Sequence, residues 1–161
     1  MQHKKEFITA IKENEGVIFK VTSIYCANKE DQKDLYQEIV YQLWKSFPSF
    51  RNDSKISTWM YRIALNTSIT HLKKEKRNGT KLELDQIIEY KIDHKDTLIE
   101  DRIKLMYAHI KNLNTIEKGI ILLFLEGKNH NEIANITGFS TTNIGTKISR
   151  IKEKLKSEIK K

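Results

Sequence analysis

The chain has one proline, Pro48, and six glycines in 161 residues. So few turn-formers exclude a protein of many short strands and tight hairpins, and favour helices joined by short polar breaks. One cysteine, Cys26, excludes an internal disulfide. It lies in the apolar run Ile24-Tyr25-Cys26-Ala27, where a small buried side chain is the ordinary expectation. No apolar run has the length of a signal-peptide core or a membrane span, so no membrane insertion and a cytoplasmic location are expected. The histidines, at 3, 71, 94, 109 and 130, are scattered, and none is spaced with another ligand residue as a metal site needs. A phosphate loop, a nucleophile elbow and a paired acid site are all missing. The expectation is therefore no catalytic residue, no metal, no cofactor and no enzyme.

What the chain does have is charge. Lys and Arg number 29 against 21 Asp and Glu, a formal net charge of +8. A basic balance suits a polyanionic partner, although alone it says little. Its distribution says more. Residues 1–77 carry 14 basic and 9 acidic side chains, residues 78–112 carry 6 and 7, and residues 113–161 carry 9 and 5. Two basic blocks flank a slightly acidic connector.

Hydrophobic spacing divides the chain into helices. Residues 3–27 read as one helix, with Phe7, Ile11, Ile18, Val21 and Ile24 roughly on one side. Asn28 is a good N-cap for a second helix over 29–47, which Pro48 stops. Residues 48–55, dense in Ser, Asn and Asp, read as a loop, and 56–77 as a third helix. The stretch 78–96 has no sustained period and reads as a linker. Helical spacing returns over 97–111. Asn114 or Thr115 caps the next helix, with Glu117 completing a capping-box-like start, and Gly127 suits its C′ position. The fold expected is all-α.

Residues 130–156 hold two short apolar-periodic stretches around Gly138-Phe139-Ser140. As a helix-turn-helix, Gly138 makes the turn and Ala134 lies where the helices cross. Ile133 and Ile136 pack the first helix, Phe139 plugs the turn and Ser140 caps the second helix. In that second helix Ile144, Ile148, Ile151 and Leu155 fall within about 60° of one another, a core stripe. Thr142, Asn143, Thr146, Ser149 and Arg150 face the other way, with Lys147 at the edge. Asn suits adenine, Arg suits guanine and threonine methyls suit thymine in a major groove. Lys152, Lys154 and Lys156 are candidates for phosphates. A merely solvated polar face would show the same periodicity; the Ala-x-x-x-Gly turn and the Ser cap favour the reader.

In the third helix Arg62, Asn66, Thr70, Lys73 and Arg77 form one polar, mostly basic stripe, and Lys74 joins the cationic C-terminal turn. Phe47, Phe50, Trp59 and Tyr61 stand beside it. Aromatics beside cations hold unstacked bases in single strands; aromatics at such spacings equally fill cores. The second helix turns Asp34, Gln37, Glu38, Tyr41 and Gln42 outward, groups suited to a protein partner rather than DNA.

Together these segments resemble bacterial RNA polymerase sigma factors of the extracytoplasmic-function (ECF) type. "EDQKDLYQEIVYQLWKSF" is similar to the region 2.2 helix, with Asp34, Gln37, Glu38 and Trp44 on pattern. "STWMYRIALNTSITHLKKEKR" is similar to regions 2.3–2.4, with Trp59, Tyr61, Arg62, Ile63, Ala64 and Asn66 on pattern. "LNTIEKGIILLFLEGKNHNEIANITGFSTTNIGTKISRIKEKLK" resembles region 4. The resemblance implies two small helical domains joined by a flexible linker: a region 2-like bundle over 1–77, a linker over 78–97, and a region 4-like four-helix domain with its helix-turn-helix over 98–161. It implies that Asp34, Gln37, Glu38, Tyr41 and Trp44 dock on the β′ clamp helices of core RNA polymerase, with the β flap as a further contact. It implies that Phe50, Arg51, Asn52, Trp59, Tyr61, Arg62, Asn66, Lys73, Lys74 and Arg77 open the downstream promoter element and hold the single-stranded non-template strand. Ser140, Thr141, Thr142, Asn143, Thr146, Lys147 and Arg150 would read the upstream element as duplex DNA. An anti-sigma factor is the expected regulator. Many relatives carry a basic residue where this chain has Gly145, so promoter preference is not transferable.

The linker's reach agrees with two points of contact. Twenty-odd extended residues span roughly 65–75 Å at about 3.3–3.6 Å each, and DNA rises about 3.4 Å per base pair. Its five acids, Glu83, Asp85, Glu89, Asp93 and Asp96, would keep it off DNA. The rival readings are a dimeric free-standing helix-turn-helix regulator and a helical adaptor with basic faces.

Overall fold

The computed structural model describes residues 1–77 and 98–159, with the side chains of residues 76, 77, 98–100 and 103 outside that description. The expected linker over 78–97, with its five acids, also lies outside it. Among the described residues there are eight α-helices, one short 3-10 turn and no strand. The chain divides into two compact units, Met1–Leu82 and Glu83–Lys161.

The first unit holds α1 (Gln2–Glu13), α2 (Glu15–Tyr25), α3 (Lys29–Ser46), the 3-10 turn Phe47–Ser49 and α4 (Ile56–Arg77). The single helix expected over 3–27 is two helices. The break is at Asn14, whose backbone leaves the helical region at φ −123°, ψ 23°. Its side-chain amide donates to the carbonyl of Ala10 at 2.9 Å. Asparagine offers the backbone this local alternative to a continued helix, which a hydrophobic pattern does not register.

Helices α2, α3 and α4 pack against one another. Ile18, Val21, Leu35, Ile39, Leu43, Met60 and Ala64 are fully buried between them, each large apolar side chain contributing about 1.5–3 kcal/mol. Two hydroxyls are buried with them. Ser68 donates to the Ala64 carbonyl at 2.8 Å and Thr22 to that of Phe19 at 3.0 Å, so neither is left unsatisfied. The Tyr36 phenol is pushed above its ordinary value, first by burial and then by the nearby Glu15 carboxylate. Cys26 is buried, as a small apolar side chain should be.

The second unit holds α5 (Leu98–Ile110), α6 (Thr115–Leu125), α7 (His130–Thr137) and α8 (Thr141–Ile159). Its core is aliphatic, with Ile110, Ile120, Leu122, Leu123, Ile133 and Ile144 fully buried. Asn114 starts α6 by accepting from the Glu117 N–H at 2.9 Å, and its own amide donates back to the Glu117 carboxylate at 2.9 Å. Asn129 and Glu132 repeat the arrangement at α7, and Asn28 and Asp31 at α3. Each pair satisfies an orphan helix donor and places an acid in the positive first turn. At the end of α6 the Lys128 N–H donates to the Leu123 carbonyl and the Gly127 N–H to that of Phe124, both at 3.1 Å. With Gly127 at φ +84° this is a Schellman stop.

Candidate nucleic-acid and polymerase interface

In the second unit, α7 ends at Gly138, which takes the left-handed φ of +86° and donates to the Ala134 carbonyl at 2.8 Å. The Ser140 hydroxyl then accepts from the Asn143 N–H at 3.1 Å and starts α8. Ile144, Ile148, Ile151 and Leu155 bury one side of α8. Ser140, Thr141, Thr142, Asn143, Thr146 and Arg150 are exposed, and Lys147 is half-buried. The Lys147 ammonium sits 5.0 Å from the centre of the Phe139 ring, which holds it beside the turn. The Thr146 hydroxyl donates to the Thr142 carbonyl at 3.2 Å.

A residue the pattern did not single out joins this face. Asn131 of α7 accepts a 3.0 Å hydrogen bond from the Thr141 hydroxyl, tying the two helices together at the start of α8. Such a cross-helix bond leaves no periodic trace. Three lysines expected at phosphates divide differently. Lys152 lies 4.3 Å from the centre of the Phe124 ring, and Lys154 pairs with Glu117 at 3.5 Å. Both tie α8 to α6. Beside them runs an apolar groove of about 370 Å³, lined by Met106, Ile121, Phe124, Leu125 and Ile159 and rimmed by Lys152 and Lys156.

In the first unit, α3 turns Asp34, Gln37, Glu38 and Tyr41 to the outside. Tyr41 is 57% and Trp44 42% exposed. Trp44 is nevertheless seated on one side, edge-on to Phe7 of α1 at 5.0 Å. Along α4, Arg62, Asn66, Thr70, Lys73 and Lys74 are exposed on the described face; the Arg77 side chain lies outside the description. A polar groove of about 420 Å³ runs between the two helices, lined by Glu38, Gln42 and Ser46 on one wall and Asn66, Thr70 and Lys74 on the other.

The loop leading into α4 carries Phe50, Arg51 and Asn52. Asn52 takes φ +60°, a left-handed turn that asparagine tolerates, and it and Arg51 are exposed. Phe50 and Trp59 are half-buried, their ring centres 4.9 Å apart and their planes tilted by 37°. Tyr61 does not join them. It is 2% exposed and belongs to the buried side of α4 with Met60, Ala64 and Leu65. Two positions beyond Trp59 is a rotation of about 200° around the helix, which takes Tyr61 from the loop side into the core. Its place among the base-facing residues is corrected accordingly.

A helical unit with a cationic, aromatic-headed helix and a second unit with a helix-turn-helix define a two-domain DNA-binding transcription protein. Residues 10–78 match the family described as Sigma-70 region 2. The chain is 28% identical over 98% of its length, and 93% of the relative's, to the "RNA polymerase sigma factor SigV" of Bacillus subtilis. It is 26% identical over 80% of its length, and 74% of the relative's, to the "ECF RNA polymerase sigma-E factor" of Escherichia coli K12. Its fold is similar to that of the sigma factor RpoE solved with the anti-sigma factor NepR from Bartonella quintana, at a TM-score of 0.71 and 17% identity over 98% of this chain and 96% of that one. Residues 10–78 are thus matched as a Sigma-70 region 2, and over nearly its whole length the chain is similar to RNA polymerase sigma factors, including those of the ECF type. The free-standing regulator is set aside on the same findings.

Proposed function

We propose that the protein binds core RNA polymerase through α3, opens the downstream promoter element with the loop and N-terminal half of α4, and reads the upstream element with α8. It carries no catalysis of its own and works in the cytoplasm. The observation that carries this reading is the segregation of chemistry in the first unit. Glu38 and Gln42 of α3 stand across one groove from Asn66, Thr70 and Lys74 of α4, and a tilted Phe50–Trp59 pair lies where the loop enters α4. Asp34, Gln37, Glu38, Tyr41 and Trp44 suit a protein surface. Arg51, Asn52, Arg62, Asn66, Lys73, Lys74 and Arg77 suit phosphates and polar base edges. Strand opening costs free energy, and stacking of unpaired bases on Phe50 and Trp59 offsets it by about 1–3 kcal/mol per base. The apolar groove of the second unit, with its lysine rim, suits a polymerase helix such as that of the β flap. An anti-sigma factor would compete for these same surfaces.

The test is promoter-specific transcription by the purified chain with core polymerase on a promoter library. Initiation should depend on the protein and fall sharply in the Gln37→Ala, Trp44→Ala double variant, with upstream duplex binding by α8 unchanged. Tight, specific binding of the protein to DNA as a dimer without polymerase, and no initiation with it, would refute the assignment.

A further inference from the structure

The rings of the first unit form one continuous row. Phe7 of α1 lies edge-on to Trp44 at 5.0 Å and to Phe47 at 5.3 Å. Phe47 meets Trp59 at 6.2 Å, and Trp59 meets Phe50 at 4.9 Å. His3 closes the outer side of Phe47 at 5.0 Å. The row starts on the α3 face and ends on the loop that leads into α4. Among these rings only Phe7 is buried, at 7% exposure. It is also the one buried residue of the twelve in α1. The core between α2, α3 and α4 is filled by their own side chains, with Ile18, Leu35, Ile39, Leu43 and Met60 fully buried. Ala10 and Ile11 are half-buried beside it, so α1 rests against the unit mainly through Phe7. What the side chain touches is therefore the informative part.

We infer that α1 is a positioning element for promoter opening and that Phe7 is its positioning residue, fixing Phe47 and, through it, the Trp59–Phe50 pair. The inference rests on the reading of that pair as the base-holding end of the first unit. Phe7 itself meets no DNA. Edge-to-face ring contacts are directional, so they set angles as well as distances. Phe47 sits in the 3-10 turn between α3 and the loop, only half-buried. Without a ring at position 7, Trp44 and Phe47 are each deprived of the neighbour that sets their orientation. The stacking surface must then be ordered at the moment of base capture, which slows opening more than docking.

Two variants separate ring from bulk. Phe7→Leu keeps most of the volume and removes the ring edge, whereas Phe7→Tyr keeps the ring. Both are compared as full-length protein with core polymerase, below their melting temperatures, on a duplex promoter and on the same promoter mismatched at the downstream element. Trp44 and Trp59 are the two tryptophans of the chain, so intrinsic fluorescence reports on the row directly. Phe7→Leu should lower initiation on duplex about three- to tenfold, the scale of the energy of a ring pair. Its effect on the mismatched template should be clearly smaller, and its tryptophan emission should shift to the red. Phe7→Tyr should restore all three readouts. An equal loss on both templates, no loss on duplex, or a tyrosine no better than leucine would overturn the inference. Failure of the unaltered protein to initiate would instead overturn the sigma-factor reading beneath it.

Discussion

Gly145 sits on the border between the buried and exposed sides of α8, facing the imidazole of His130. A Cβ added there would lie 3.6 Å from that ring, an ordinary van der Waals contact. Glycine inside a helix costs about 1 kcal/mol relative to alanine, so Gly145→Ala should raise the melting temperature of the second unit. An unchanged or lower value would show that the His130 contact is tighter than its geometry. Gly138 should respond with the opposite sign. Its φ of +86° is left-handed, and Gly138→Ala should destabilise by about 1 kcal/mol or more. At Tyr36 the folded-state pKa is raised by burial and by Glu15 above the ordinary value of 10.0. The neutral phenol is the form that the fold favours. Its contribution is complete below pH 10 and is lost as pH rises from there through the folded value, because the unfolded chain releases its proton first. Denaturant unfolding across pH 9–11 should therefore fall less steeply in Tyr36→Phe than in the unaltered protein.

Helix ends were the most legible elements. The 56–77 helix is α4 to the residue, and Asn28, Asn114 and Ser140 all cap as their chemistry requires. Caps are local, so a few adjacent residues suffice to specify them. Asn129 shows the same device, and Asn129→Ala should cost about 1 kcal/mol of stability, read by thermal melting. Loss of α7 docking without such a cost would contradict it. The helix-turn-helix was legible for the same reason, since its glycine, its cap and its isoleucine stripe are all short-range. Contacts between elements were not. Nothing in the spacing of Phe7 announces that it meets Trp44 and Phe47, and nothing in the lysine run 152–156 announces that Lys152 lies over Phe124 and Lys154 pairs with Glu117. Tyr61 was misplaced by proximity in sequence to Trp59, although helix geometry turns the two apart. The α1–α2 break was hidden because Asn14 interrupts the helix through its side chain while the hydrophobic pattern runs on.

Across the whole molecule, the proposed function draws affinity and discrimination from different units. The chain carries a net charge of +8, and the exposed cations of α4 are proposed to meet phosphates, which are the same in every sequence. The threonines, Asn143 and Arg150 of α8 are proposed to face base edges, which are not. Neutralising α4 with Arg62→Gln, Lys73→Gln and Lys74→Gln should weaken promoter binding by the polymerase complex on every sequence alike. It should also flatten the dependence of log K on log salt, by about 0.7–0.9 for each phosphate that is no longer neutralised. Arg150→Ala should leave most of that slope in place. Its effect should instead be confined to promoters with the preferred upstream element, whose advantage over altered elements shrinks by about 1–3 kcal/mol if Arg150 pairs with a base in bidentate fashion. Titrating both variants against matched and altered promoters at several salt concentrations separates the two contributions. A uniform loss for Arg150→Ala, with a slope change as large as that of the α4 variant, would mean that α8 holds the backbone rather than reading bases. The upstream specificity would then have to come from DNA shape.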